Sequence, residues 1–185
     1  MKGYEVISRL QDHIGDNDLI VSSNGNISRE VYHFLPKPQV YLRGSMGLPV
    51  SLGLGLATMN PDKRVTVITG DGNLLMGFGS VITAAYYKPH NFKILILDNS
   101  QYFTTGGQQT VSSTINYSKF LESLNINYFN TLTPSKDTLS ENLEKFLNFK
   151  GLSILHIYIE SGKKELKNIP WHPTKITENI QNRLA

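Results

Sequence analysis

Four short stretches rich in Gly, Ser, Asn and Asp hold the residues able to do chemistry: Ser23-Asn24-Gly25-Asn26, Arg43-Gly44-Ser45-Met46-Gly47, Gly70-Asp71-Gly72-Asn73 and Asp98-Asn99-Ser100-Gln101-Tyr102. The third begins where the apolar run Val65–Thr69 ends and a helical pattern starts. Glycines at such a place let backbone N–H groups approach an anion closely, and a helix start adds partial positive charge. Asp71 in the middle would repel a bare phosphate. A divalent cation between the two removes that conflict, because Mg²⁺ takes about six oxygens in octahedral geometry, few of them from protein and several from phosphate. Asp71 would supply an anionic oxygen, and Asn99, at the end of the next buried strand, a neutral amide oxygen. Gly-Asp-Gly alone is an ordinary turn. The weight comes from the combination of Gly-Asp-Gly at a strand end, a helix, and a buried strand ending in Asp98-Asn99, with Asn99 twenty-eight residues after Asp71.

These stretches need a scaffold that brings them together. Apolar runs of strand length, Leu19–Ser22, Val65–Thr69, Ile94–Leu97 and Ile154–Ile159, alternate with longer helical patterns. The helices are expected over Tyr4–His13, Ser28–Leu35, Leu48–Met59, Leu74–Tyr87, Tyr117–Leu124, Thr138–Phe149 and Thr174–Arg183. Three of the four apolar runs are continuous or nearly so, which suits strands buried on both faces. The alternation predicts an α/β fold, a single domain over residues 1–185 whose parallel sheet is covered by helices on both faces. Ligands in such sheets sit beyond the carboxyl ends of the strands. The four stretches are therefore expected to meet in one crevice.

Composition narrows the chemistry. The 185 residues include no cysteine, which excludes disulfides, thiolate metal sites, iron–sulfur clusters and a Cys nucleophile. The net charge of +3 is spread along the chain, with one small cluster at Lys163, Lys164 and Lys167. Without a basic, aromatic-interleaved stripe, a solvated surface is expected rather than a nucleic-acid patch. The first residues mix acids with apolar side chains, unlike a signal peptide, and no apolar run approaches the ~18 residues of a membrane span. A cytoplasmic protein with no membrane association is expected. The phosphate loop G-x-x-x-x-G-K-[ST] and a strand-linked G-x-G-x-x-G are both missing.

Gly-Asp-Gly followed at this spacing by an Asn-bearing strand end resembles the signature of thiamine-diphosphate (ThDP)-dependent enzymes. The resemblance implies that Asp71 and Asn99 are side-chain ligands of a Mg²⁺ (or Ca²⁺) ion that clamps the cofactor diphosphate, with the backbone carbonyl of Gln101 as third protein ligand. It implies further cofactor contacts from Asn24, Gly25, Asn26, Gly70, Gly72, Asn73 and Tyr102. The signature usually ends Asn-Asn; here it ends Asp98-Asn99, and the second position is the one that holds the metal. The stretch around Gly44, Ser45 and Met46 resembles the pyrimidine-facing loop of decarboxylase-type members. There Met46 would be the apolar wedge that bends the cofactor, and the Gly44 carbonyl would accept a hydrogen bond from the pyrimidine amino group.

Several stretches together resemble the sulfopyruvate/phosphonopyruvate decarboxylase group, in order and over nearly the whole chain: NGNISRE (24–30), YLRGSMG, GDGNLLMGFGS, YKP, LDNSQYFTTGGQQT and the Pro-containing tail. This implies the diphosphate-binding (PP) module of the ThDP fold. The implied reaction is non-oxidative decarboxylation of a 3-substituted pyruvate: sulfopyruvate to sulfoacetaldehyde and CO₂, or phosphonopyruvate as the alternative. In the family the activating glutamate sits on a separate pyrimidine-binding domain. No second α/β unit is visible here, so that domain is expected on a partner chain in a hetero-oligomer, and no catalytic side chain is assigned to this chain. The Gly- and Ala-rich helices Leu48–Met59 and Leu74–Tyr87 are the candidate contact surface, which a free subunit would expose as an apolar patch.

A small anionic 2-oxo acid substrate needs cationic recognition. Arg29 and Arg43 are the nearest candidates by sequence, and each reads equally as a structural ion pair or a surface charge. Thr104–Gln108 is expected to cover the cofactor. A similar TGGQ stretch in 2-oxoacid:ferredoxin oxidoreductases goes with Cys-ligated clusters, which this chain cannot supply. Acetolactate-synthase-like carboligation and a non-catalytic ThDP-like subunit are the other readings; the intact Asp71 and Asn99 speak against the second. His156, inside an apolar strand, reads as a satisfied core histidine.

Overall fold

The computed structural model describes residues 1–35, 39–131 and 135–184. Strands β1 (Asp18–Ser22), β2 (Val40–Tyr41), β3 (Arg64–Gly70) and β4 (Phe92–Asp98) come from the first half of the chain. A small antiparallel ribbon, β5 (Gln101–Tyr102) with β6 (Gln108–Gln109), follows, and then β7 (Asn127–Thr131) and β8 (Ser153–Tyr158). Six strands form one wholly parallel sheet in the order β2-β1-β3-β4-β8-β7. After β1 the chain adds β2 on one side and β3 on the other. The connections therefore part above β1 and β3, which is where such sheets open a ligand crevice.

Side-chain alternation along the strands separates two apolar layers. Val21, Val65, Val67, Phe92, Ile94, Ile96 and Ile154 face helices α3 (Pro49–Met59), α5 (Gly79–Tyr87) and α6 (Tyr117–Ser123), which contribute Val50, Leu54, Val81, Ala84 and Leu121. Ile20, Ile68, Leu95, Leu97, Leu155 and Ile157 face α1 (Gly3–Leu10), α2 (Asn26–Phe34) and α7 (Lys136–Asn148), which contribute Val6, Ile7, Leu10, Val31, Leu143 and Phe146. The last helix, α8 (Pro173–Leu184), packs at the β2 edge. The expected parallel sheet with helices on both faces is what forms. At the amino ends of the strands Arg64 makes two bonds to the Asp18 carboxylate, at 2.5 and 2.9 Å, which ties β3 to β1 far from the crevice.

The expected Leu74–Tyr87 helix is two helices, α4 (Asp71–Met76) and α5, broken at Gly77-Phe78. The break follows from contact. A Cβ on Gly77 would lie 1.9 Å from the Gly47 carbonyl oxygen, so the backbone of the Arg43–Gly47 loop rests directly on this turn. The small residues of α3 also divide their roles differently from expectation. Gly53 packs on the sheet, where a Cβ would meet Val67 at 2.2 Å and Phe92 at 2.9 Å, whereas Gly55 faces open space.

Candidate functional site

The loops after β1, β3 and β4 converge on one pocket of about 130 Å³ above the carboxyl ends of those strands. Asn24, Gly25, Asn26, Met46, Gly70, Asp71, Gly72, Asn73, Asn99, Gln101 and Tyr102 all line it. Gly44 and Ser45, also expected at the cofactor, do not; both are exposed on the loop that leads to Met46. Whole small molecules occupy pockets of about 300–1,000 Å³. This cavity therefore suits a compact fragment such as a diphosphate, with the rest of a cofactor lying over its rim.

The pocket is held by side chains that tie the loops together. Asn73 accepts from the Gly47 N–H at 2.9 Å and donates to Asn24 Oδ1 at 2.5 Å, joining the loops that follow β1, β2 and β3. The Tyr102 ring packs on Gly72, where a Cβ would approach the ring to 2.3 Å, so only glycine fits there. Asn99 Oδ1 accepts from the Gln101 N–H at 3.1 Å, turning the chain tightly through Ser100 at φ 55°. Ser161 Oγ donates to Gln101 Oε1 at 2.7 Å and fixes the outer wall.

Asp71 is buried, and Thr110 Oγ1 donates to its Oδ2 at 2.5 Å. Burial pushes the Asp71 carboxyl above the usual carboxylate range; the Thr110 hydroxyl opposes that shift and the Asp98 charge adds to it. A group so placed gains most from a cation beside it. Ser23 Oγ, buried in the pocket wall, has no hydrogen-bond partner among the described residues. Buried orphans of this kind are uncommon, and an anion oxygen in the cavity would satisfy this one. A carboxylate, a neutral amide oxygen, an orphaned hydroxyl and glycine-lined backbone suit a cation–diphosphate pair. Thr110 carries no signal in the sequence that marks it as part of the site.

Asp98 does not line the pocket. It is buried beneath it and accepts from Ser112 Oγ at 2.5 Å, the Ser100 N–H at 2.8 Å and His156 at 2.9 Å. Burial alone would raise its pKa, but the bonds from His156, Ser112 and Ser100 override burial and hold it below the ordinary value. His156 is itself completely buried and its other ring nitrogen bonds Tyr128 at 2.9 Å. Asp98 thus anchors the Asn99–Gln101 turn from below, while Asn99 faces the cavity. His172 lies outside the pocket, bonded to Thr174.

Two further features adjoin the pocket. Gly25, Ser28, Arg29, Arg43, Asn168 and Ile169 line a polar cleft of about 160 Å³ that shares Gly25 with the main pocket. Among the described residues no carboxylate lines it; Arg29 bonds the Gly25 carbonyl at 3.4 Å and Arg43 the Trp171 carbonyl at 2.8 Å. On the other side, Met46 also borders a groove of about 800 Å³ between α3 and α5. Leu48, Met59, Met76, Ile82, Tyr86 and Tyr87 are exposed on and around it, Met59 to 78% and Tyr86 to 83%. No helix among the described residues is long and apolar enough to cross a membrane.

Residues 23–157 match the thiamine pyrophosphate enzyme C-terminal TPP-binding domain. The chain is 35% identical to the sulfopyruvate decarboxylase subunit beta of Methanothermobacter thermautotrophicus, over 95% of this chain and 91% of that protein. It is 34% identical to the phosphonopyruvate decarboxylase of Streptomyces viridochromogenes, over 84% of this chain and 39% of that longer one. The fold is similar to that of benzoylformate decarboxylase from Polynucleobacter necessarius, with a TM-score of 0.69 at 18% identity, covering 91% of this chain and 34% of that one. The matched segment begins in the loop that follows β1 and runs into β8, covering β3, β4, Asp71 and Asn99 and more than half of the chain, and on that ground the chain belongs to the thiamine pyrophosphate enzymes.

Proposed function

We propose that this chain is the diphosphate-binding subunit of a two-chain, Mg²⁺-dependent enzyme that decarboxylates sulfopyruvate to sulfoacetaldehyde. The observation that carries the reading is the pocket itself: it brings Asp71, Asn99 and Gln101 to one cavity that suits a diphosphate and is too small for a whole cofactor. Asp71 and Asn99 would hold the metal by side-chain oxygens and Gln101 by its carbonyl, while Ser23 and the Gly25, Asn26 and Gly72 backbone would surround the phosphates. Bound ThDP supplies a carbon nucleophile for the substrate's 2-keto group and an electron sink for the pair left when CO₂ departs. Met46, between the pocket and the groove, would be the apolar side chain set against the cofactor there, and Met is adaptable and polarizable enough for that place.

The α3/α5 groove supports the two-chain reading. Its exposed Leu, Met and Tyr side chains adjoin the cofactor pocket through Met46, so a pyrimidine-binding subunit seated there would both cover the apolar face and complete the site. The name of the Methanothermobacter relative, a subunit beta, is consistent with that assembly. The Arg29/Arg43 cleft beside Gly25 supports an anionic substrate tail, since neither guanidinium meets a carboxylate there. Phosphonopyruvate is the second substrate reading, favoured by the similarity to phosphonopyruvate decarboxylase.

The test is co-expression with the product of the adjacent reading frame, addition of ThDP and Mg²⁺, and CO₂ release from sulfopyruvate, phosphonopyruvate and pyruvate measured side by side. Release from sulfopyruvate well above the other two is expected. Cofactor binding without release from any of the three would overturn the decarboxylase assignment.

A further inference from the structure

Glu30 has no role in the reading above, yet it is the most conspicuous unused group in the molecule. It lies one turn into α2, whose first residues line the cofactor pocket, and its own side chain lines that pocket. It is 4% exposed, and among the described residues it forms no hydrogen bond and no ion pair. Its carboxyl is wedged against α1 and apolar side chains. A Cβ placed on Gly3 would fall 3.3 Å from Glu30 Oε2, 3.3 Å from Ile159 and 3.7 Å from Leu97. An ionised carboxyl on so buried a side chain is costly without a partner, and here its oxygens, not fully enclosed, border the cavity proposed to take an anion.

The charge around it does little to relieve that cost. Arg29, its neighbour on α2, is the charged group whose field reaches it. Lys2, Tyr4, Glu5 and Arg9 belong to α1 and its cap, Asp18 and Arg64 lie at the far ends of β1 and β3, Asp71 lines the same pocket, and Glu160 follows β8. None of these adds a contribution comparable with burial or with Arg29. Burial raises the Glu30 carboxyl to about 7, with Arg29 opposing the rise. A diphosphate next to it would favour the neutral acid further.

We propose that Glu30 faces the cofactor diphosphate as a neutral carboxylic acid and donates a hydrogen bond to it, so that loading the cofactor takes one proton from solvent onto Glu30. The protonated acid turns what would be a repulsion between two anions into a donor–acceptor contact. Neighbouring Ser23, whose hydroxyl is also unpartnered, would donate from the same wall. The proposal rests on the ThDP reading of the pocket.

The test is calorimetric titration of ThDP with Mg²⁺ into the assembled enzyme, in buffers of different ionisation enthalpy, for wild type and Glu30→Gln. The glutamine keeps an N–H donor and cannot titrate. Wild type should take up roughly 0.9 proton more than the variant at pH 8, and roughly 0.1 more at pH 6. Wild-type affinity should fall roughly tenfold between pH 6 and 8 relative to the variant. Equal proton counts in the two proteins would overturn the proposal while leaving the cofactor reading intact. Proton release specific to wild type would also overturn it, because Glu30 would then meet the bound group as a carboxylate. Failure of both proteins to bind ThDP would count against the pocket assignment and remove the proposal with it. A second measurement needs no partner: carbon NMR of the carboxyls in the full chain should show one titrating near pH 7 that is lost in Glu30→Gln, which separates it from the raised Asp71, and only ordinary values near 4.5 would refute it.

Discussion

Gly77→Ala is the sharpest structural test of how the site is held. The Gly77 backbone, at φ −106° and ψ 25°, is open to alanine, so the cost is contact rather than conformation. The new methyl would start 1.9 Å from the Gly47 oxygen and 2.8 Å from its carbonyl carbon, well inside van der Waals contact. Both atoms are backbone and cannot rotate away. Gly47 itself sits at φ 89°, a region few other residues adopt, and its N–H is bonded to Asn73. Relief therefore requires the Met46–Gly47 loop to lift, at about 1–3 kcal/mol for overpacking and about 1–3 kcal/mol for the buried Asn73 contact if it breaks. A net loss of about 2–4 kcal/mol corresponds to a melting temperature lower by roughly 5–15 °C in a chain of this size. Gly55→Ala is the matched control. It lies inside α3 with nothing within 4 Å of the new methyl, so it should stabilise the isolated chain by about 0.5–1 kcal/mol. Thermal and urea unfolding of the two variants measure both. Equal stabilities for Gly77→Ala and Gly55→Ala would refute the close packing of the two loops.

Three further outcomes follow from the same geometry. Asp71→Asn removes a buried charge while keeping an oxygen for Thr110, so the isolated chain should melt no lower than wild type while Mg²⁺-dependent ThDP affinity falls by at least a hundredfold; retained affinity in a ThDP titration would refute the metal assignment. Arg43→Ala should raise KM for the sulfonate substrate at least tenfold and leave ThDP affinity unchanged, since the guanidinium lines the side cleft and not the main pocket; unchanged steady-state kinetics would remove the cleft from substrate recognition. Lys93 is buried with its ammonium donating to Phe149 and Gly151 carbonyls at 2.5 and 2.7 Å, and burial, aided by the Arg64 charge, lowers its pKa to about 8 from an ordinary 10.5. The unfolded chain binds this proton more tightly, so stability should rise by about 1.5 kcal/mol between pH 8 and 9.5. Urea midpoints should show that rise in wild type and lose it in Lys93→Met.

Much of this was legible because the chemistry sits at strand ends, and buried parallel strands announce themselves as apolar runs. β3 and β4 were read that way, and Asp71 and Asn99 follow from where those runs stop. β2 escaped because two paired residues make no pattern, and β7 because an edge strand reading Asn-Tyr-Phe-Asn-Thr pairs on one side and tolerates asparagine. The α4/α5 break depends on Gly47, thirty residues earlier in the chain, and no local propensity records such an approach. Thr110 is illegible for the same reason, its partner Asp71 being distant in sequence, and so is the bond by which Asp98, visible as part of the strand-end motif, is anchored to His156. Glu30 sits in a helix pattern as an ordinary polar residue, and only the packing of α1 against α2 buries it.

The central claim is that this chain holds the diphosphate end of a site that a second chain completes. The most direct measurement is CO₂ release from sulfopyruvate, with saturating ThDP and Mg²⁺, by this chain alone, by its co-expressed partner alone, and by the two mixed. The account predicts turnover in the mixture only. Turnover at the same rate by this chain alone would contradict it.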